Sequence, residues 1–131
     1  MSATCRAPRA LSIVVTGASG DLARRKIYPA LFALYSRGLL PVAFNVFGFA
    51  RTARGVGQFS ARLAEHLTCR YTPASSCADR VRDFLARCHY VSGAYDSRDS
   101  FLDLHMAMSA VENGRDVGRI YYMAIPSAVF V

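Results

Sequence analysis

Gly17, Gly20 and Ala23 stand in the spacing G-x-x-G-x-x-A, directly after the apolar run Leu11-Ser12-Ile13-Val14-Val15-Thr16. This spacing suits a buried strand, a tight turn and the first turn of a helix. The chemistry open to such a turn is anion binding. Backbone N–H groups at a helix start lack intrahelical partners, and the helix dipole favours negative charge there. Gly17 permits the turn, Gly20 lets the backbone approach the anion, and Ala23 keeps the helix near the sheet. A nucleotide pyrophosphate is the anion this arrangement is expected to hold, on Gly17, Ala18, Ser19, Gly20, Asp21 and Leu22. The bland alternative is a strand-to-helix turn with a structural role alone.

Arg51 decides between nucleotides. A site for NAD usually carries Asp or Glu at the end of the second strand, where it bonds the ribose 2′-OH. No Asp or Glu occurs from Leu22 to Ala64, while Arg24, Arg25, Lys26, Arg37, Arg51, Arg54 and Arg62 do. An Arg at that strand end pairs with a 2′-phosphate, so NADP is expected, with Thr52 and Arg54 assisting. Lys26 shares a helix face with Leu22 and Ala30, expected nearer the sheet and turned toward the site. Arg24 and Arg25 are expected to be solvated, or to be partners for a missing part of the protein. Arg51 as an ordinary exposed loop residue is the competing reading.

Net charge is +7, from 16 basic residues of which Lys26 is the sole lysine. A nucleic-acid partner would need exposed aromatics interleaved with that charge, and the pattern lacks them. His66, His89 and His105 are scattered and read as structural. Cys69, Cys77 and Cys88 offer no C-x-x-C and no paired His, so no metal site is expected. No apolar run approaches the roughly 20 residues of a membrane span.

These residues need elements to hold them. At 131 residues, 53% of them hydrophobic, the chain suits one domain with a core. Strands are expected at Ser12–Thr16, Phe44–Ala50, Cys88–Val91 and Arg119–Ile125, and helices at Asp21–Arg37, Phe59–Leu67, Asp79–Arg87 and Phe101–Val111. In the first helix Leu22, Ala23, Ile27, Ala30, Leu31 and Leu34 form one apolar face, and Pro29 should kink it. Strands alternating with helices predict an α/β fold. It is expected as a Rossmann-like, doubly wound parallel sheet, incomplete, with about four strands and crossover helices. Residues 1–10 read as an unplaced tail and 11–131 as the NADP-binding domain, truncated after its fourth strand.

The block Gly17-Ala18-Ser19-Gly20-Asp21-Leu22-Ala23-Arg24-Arg25-Lys26-Ile27-Tyr28-Pro29 resembles the N-terminal nucleotide-binding signature of the glucose-6-phosphate dehydrogenase family. Gly38-Leu39-Leu40-Pro41, Phe47-Gly48-Phe49-Ala50-Arg51, Tyr90-Val91-Ser92-Gly93-Ala94-Tyr95-Asp96 and Arg119-Ile120-Tyr121-Tyr122-Met123-Ala124-Ile125-Pro126 continue it in order. The resemblance implies oxidation of glucose 6-phosphate to 6-phosphogluconolactone with NADP, in the oxidative pentose phosphate pathway. It implies Lys26 toward cofactor and substrate, Arg51 on the 2′-phosphate, Ala94-Tyr95 beside the adenine and Pro126 near the nicotinamide. Ser127 and Phe130 depart from the family's usual Pro and Tyr. The family's Glu-Lys-Pro and Arg-Ile-Asp-His-Tyr-Leu-Gly-Lys segments have no counterpart in these 131 residues. The general base is therefore expected beyond the end of the chain, and the chain alone is expected to be inactive.

Thr68-Cys69-Arg70, with Cys77 eight residues beyond Cys69, resembles the plastid form of this family. That implies a regulatory disulfide reduced by thioredoxin, and a plastid stromal location; free loop thiols and a cytoplasmic location are the alternatives. A homo-oligomer is expected of the full-length enzyme. Two other readings compete: a non-catalytic NADP-binding module, and a short-chain dehydrogenase. The latter needs a Tyr-x-x-x-Lys pair, which a chain with Lys26 alone cannot form.

Overall fold

The structure is a computed structural model, and it describes residues 10–18, 20, 22–41, 43–51, 56–67, 69, 76–113 and 117–123. The strands are β1 (Ala10–Thr16), β2 (Ala43–Ala50), β3 (Cys88–Ser92) and β4 (Val117–Met123). They form one sheet in the order β3-β2-β1-β4, with every neighbour parallel. A π-helical turn (Ala23–Ile27) runs into α1 (Tyr28–Ser36), followed by α2 (Val56–Ala64), α3 (Cys77–Ala86) and α4 (Arg98–Glu112).

Side-chain alternation along the strands gives the sheet two apolar faces. Ile13, Val15, Val46 and Cys88 point to one face, under Tyr28 and Phe32 of α1, Phe59 and Leu63 of α2 and Phe84 of α3. Val14, Phe47 and Phe49 point to the other, under Leu104 and Met108 of α4. The chain winds outward from β1 to β3 on the first face, then returns through α4 to the far side of β1. Strand order therefore reverses between β1 and β4, and parallel sheets bind ligands at the carboxyl ends beside such a reversal.

Local chemistry sets the ends of α4. The Ser97 hydroxyl accepts from the Ser100 N–H at 3.2 Å, and Asn113 closes the helix in the left-handed region at φ 51°. This capping starts the helix three residues before the expected Phe101.

The first helix corrects one expectation. Its buried residues are Ala23, Ile27, Tyr28 and Phe32, whereas Leu22 and Leu34 are 51% and 38% exposed. For Leu34, which follows it, the reason is the π turn. The Tyr28 N–H reaches the Ala23 carbonyl five residues back. One extra residue in that turn rotates everything after it by about 100° relative to a plain α-helix. Pro29, expected to distort this helix, is the second residue of α1 and directly follows the π-helical turn.

The α4 face also carries a buried polar network. The Ser12 hydroxyl donates to Glu112 Oε2 at 2.7 Å. Arg119 of β4 donates from Nε to Oε2 at 3.0 Å and from Nη2 to Oε1 at 2.6 Å. Its Nη1 donates to His105 Nδ1 at 3.1 Å. One carboxylate thus ties together β1, α4 and β4, an edge strand in the described sheet with Ile120, Tyr121 and Tyr122 exposed. The Arg119 hydrogen bonds hold the Glu112 carboxyl below its ordinary value of 4.5, against the opposing effect of burial. A value lowered in the folded state stabilises fully above the unfolded value and fades as pH falls through the folded one. Glu112→Gln is therefore expected to lower the unfolding free energy at neutral pH by about 2–3 kcal/mol. In urea unfolding across a pH series, the gap between wild type and variant should close only below the ordinary value; a gap constant to about pH 3 would contradict this.

Candidate functional site

Gly17 leaves β1 with φ 76°, a left-handed conformation that glycine adopts without strain. Its N–H donates to the Phe49 carbonyl at 2.8 Å, and the Gly20 N–H donates to the Gly17 carbonyl at 3.0 Å. Both glycines use their N–H groups inside the protein, so what they give a ligand is shape. Gly20 is exposed. A Cβ there would lie 3.3 Å from the Gly17 carbonyl oxygen. The Arg24 N–H donates back to the Gly20 carbonyl at 3.2 Å, which couples the turn to the π-helical segment.

The turn lies directly on β2. A Cβ at Gly48 would stand 2.7 Å from Ala18 Cβ and 2.8 Å from the Tyr28 hydroxyl. Gly48 is thus a site residue that the glycine spacing did not reveal. Its signal is a lone glycine inside the apolar strand Phe44–Ala50, a pattern that marks close backbone approach.

Arg51 follows β2 and is exposed. Its guanidinium carbon lies 5.5 Å from the centroid of the Tyr95 ring, over its face. The Gly93 N–H donates to the Ala50 carbonyl at 2.9 Å, so the end of β3 is bound to the end of β2. A Cβ at Gly93 would stand 2.6 Å from Ser100 Cβ and 2.9 Å from the Phe49 ring, so this bend too needs glycine. The Ala94 N–H is taken by the Ser100 hydroxyl at 3.1 Å. Ala94 therefore shapes the bend, and Tyr95 is the residue presented. Burial pushes the Tyr95 phenol up, opposed by the Arg51 charge and by the Gly17 and Arg51 backbone N–H groups. Those contacts bring the glycine turn, Arg51 and Tyr95 together at one edge of the sheet.

Lys26 is exposed, with Leu22 and Ala30 exposed beside it. The shared face holds, but it points away from the core rather than nearer the sheet. Ser19, Asp21, Thr52, Arg54 and Pro126 lie outside the described residues. The histidines are engaged elsewhere. His89 stacks on Phe47 at 4.8 Å, His105 bonds Arg119, and His66 follows α2.

Cys69 and Cys77 form a disulfide, with Cα atoms 5.7 Å apart. Cys69 packs against the first core face, and Cys77 opens α3. Cys88 is a buried free thiol whose pKa is pushed far up by burial.

Two outcomes follow from this geometry. Gly48→Ala forces apart the turn and the Tyr28 hydroxyl, and should cost about 1–3 kcal/mol of stability in chemical unfolding. Reducing the disulfide should cost about 2–3 kcal/mol, given its short loop. Cys77→Ser should make the unfolding midpoint indifferent to reductant; a midpoint that still shifts would assign the effect elsewhere.

Comparison with known proteins agrees with the arrangement. The family described as glucose-6-phosphate dehydrogenase, NAD binding domain, matches residues 14–131. The chain is 46% identical over 121 residues to the chloroplastic glucose-6-phosphate 1-dehydrogenase 1 of Arabidopsis thaliana, covering 92% of this chain and 21% of that protein. It is 40% identical over 119 residues to the glucose-6-phosphate 1-dehydrogenase of Aspergillus niger, covering 90% of this chain and 23% of that protein. A solved structure of a glucose-6-phosphate dehydrogenase in complex with glucose 6-phosphate superposes with a TM-score of 0.85 at 28% identity, covering 94% of this chain and 25% of that one. The chain thus spans about a fifth to a quarter of the length of these relatives. The short-chain dehydrogenase reading is set aside by the family match. With the glycine turn, the parallel sheet and the family match in agreement, the chain belongs to the glucose-6-phosphate dehydrogenase family and carries its nucleotide-binding domain.

Proposed function

We propose that this chain binds NADP and serves as the coenzyme-binding part, residues 11–131, of an enzyme that oxidises glucose 6-phosphate to 6-phosphogluconolactone. The observation that carries the choice of nucleotide is Arg51. It stands at the end of β2, over the Tyr95 ring and beside the Gly17 turn, in a stretch without Asp or Glu. A guanidinium already stacked on an aromatic ring loses little freedom when it pairs with a phosphate. An acid at this position would instead bond a ribose hydroxyl.

The residues fit the coenzyme. The turn from Gly17 to Leu22 would hold the pyrophosphate, with the helix dipole behind it. Arg51 would hold the 2′-phosphate, and Ala94-Tyr95 would wall the adenine side. Lys26, exposed on the helix that follows the turn, would reach cofactor and substrate, and Pro126 would lie on the nicotinamide side. When bound, NADP supplies the hydride acceptor. Hydride transfer from a sugar carbon also needs a base for the hydroxyl proton, and we assign that base and the oligomer contacts to sequence outside these 131 residues.

A plastid location is supported by the 46% identity to the Arabidopsis protein named chloroplastic. The Cys69–Cys77 disulfide is the bond that thioredoxin would reduce there.

Arg51→Ala tests the assignment by titration calorimetry with both nucleotides. NADP affinity is expected to fall about 10- to 100-fold, the worth of charge-assisted hydrogen bonds. NAD affinity should change less than about twofold, since it has no 2′-phosphate to lose. Equal losses on the two nucleotides would overturn the 2′-phosphate role of Arg51.

A further inference from the structure

Tyr28 sits wholly buried beneath the glycine turn, and its hydroxyl has no hydrogen-bond partner among the described residues. The hydroxyl and Ala18 Cβ converge on the same point above Gly48, 2.8 and 2.7 Å from where a Cβ would stand. Ala18 is the second residue of the turn and is itself wholly buried. The Phe59 ring meets the Tyr28 ring edge-on at 5.7 Å and closes the pocket from α2. Nearby, the Cys88 thiol already donates to the Phe84 carbonyl at 3.4 Å.

Two independent features set Tyr28 apart from ordinary packing. Phenylalanine would fill the same space without burying an unpaired hydroxyl, which is an unfavourable group to keep. The π turn is the second. Its closing bond, from the Tyr28 N–H to the Ala23 carbonyl, is what rotates Tyr28 inward under the turn. Single π turns of this kind recur at functional sites. We infer that Tyr28 is a positioning residue whose hydroxyl is reserved for a backbone group of the glycine turn in its anion-bound form. A bound pyrophosphate draws toward itself N–H groups of the turn other than the paired ones of Gly17 and Gly20, and reorients their peptide planes. The hydroxyl below then gains a partner, and its pairing contributes to binding rather than to the stability of the empty protein. This inference rests on the turn being the pyrophosphate site.

Tyr28→Phe in the full chain tests it with two readouts. Without ligand, the urea midpoint of the variant should equal or exceed that of wild type, because an unpaired hydroxyl has been removed. In calorimetry, NADP and NAD should both weaken about five- to tenfold and by the same factor, since they share the pyrophosphate. A lowered ligand-free midpoint would overturn the inference, because the hydroxyl would then be bonded in the empty protein. Binding by wild type with no loss in the variant, or a loss confined to NADP, would overturn it while leaving the proposed function standing. A wild-type chain that bound neither nucleotide would overturn the function and this inference together.

Discussion

One close approach governs the functional edge of this protein: the turn after β1 rests on β2 at Gly48. Any side chain at Gly48 would occupy the space of Ala18 and the Tyr28 hydroxyl. With that space kept clear, the Gly17 N–H reaches the Phe49 carbonyl, and the turn is pinned to the neighbouring strand as well as to its own helix. The π turn answers the same constraint from the other side. It carries Tyr28 inward and leaves Lys26 outside. The glycine turn is therefore held by backbone bonds and by the absence of a Cβ, both of which resist displacement better than a flexible side chain does.

The second half of the edge is built by the same device. Gly93 lets the end of β3 close on Ala50, Phe49 and Ser100 at once. That closure swings Tyr95 across to Arg51. Phe49 then contacts Tyr95 and Phe101, which couples the aromatic wall to α4. Arg51 is thus held over a ring. A side chain ordered in this way loses less entropy in any further contact.

On the opposite face the constraint is electrostatic. Glu112 would be a poor residue to bury alone. Bonded to Ser12 and doubly to Arg119, it becomes a register key. A slip of β4 by one residue would turn Arg119 to the other face and strand the carboxylate. The pairing of Ser12 with Arg119 across β1 and β4 thus fixes which β4 residues arrive at the carboxyl edge.

The sequence by itself determined the elements, their order and the parallel sheet, because apolar runs, glycine punctuation and alternating periods are local signals. It also determined the sign of the site, since an Arg at the end of β2 and a long stretch without acids need no coordinates to be seen. It placed the glycine turn, Arg51 and Tyr95 as separate segments. Tertiary structure decided what they touch. The buried face of the first helix differs from the periodic one because a π turn adds one residue. That geometry brings the Tyr28 hydroxyl against Gly48, and an α-helical period cannot register it. The Arg51–Tyr95 stack and the Ser12–Glu112 hydrogen bond join residues 44 and 100 positions apart. Only the closing of the sheet gives such pairs a distance, because side chains far apart in the chain interact through space and leave no spacing in the sequence to read.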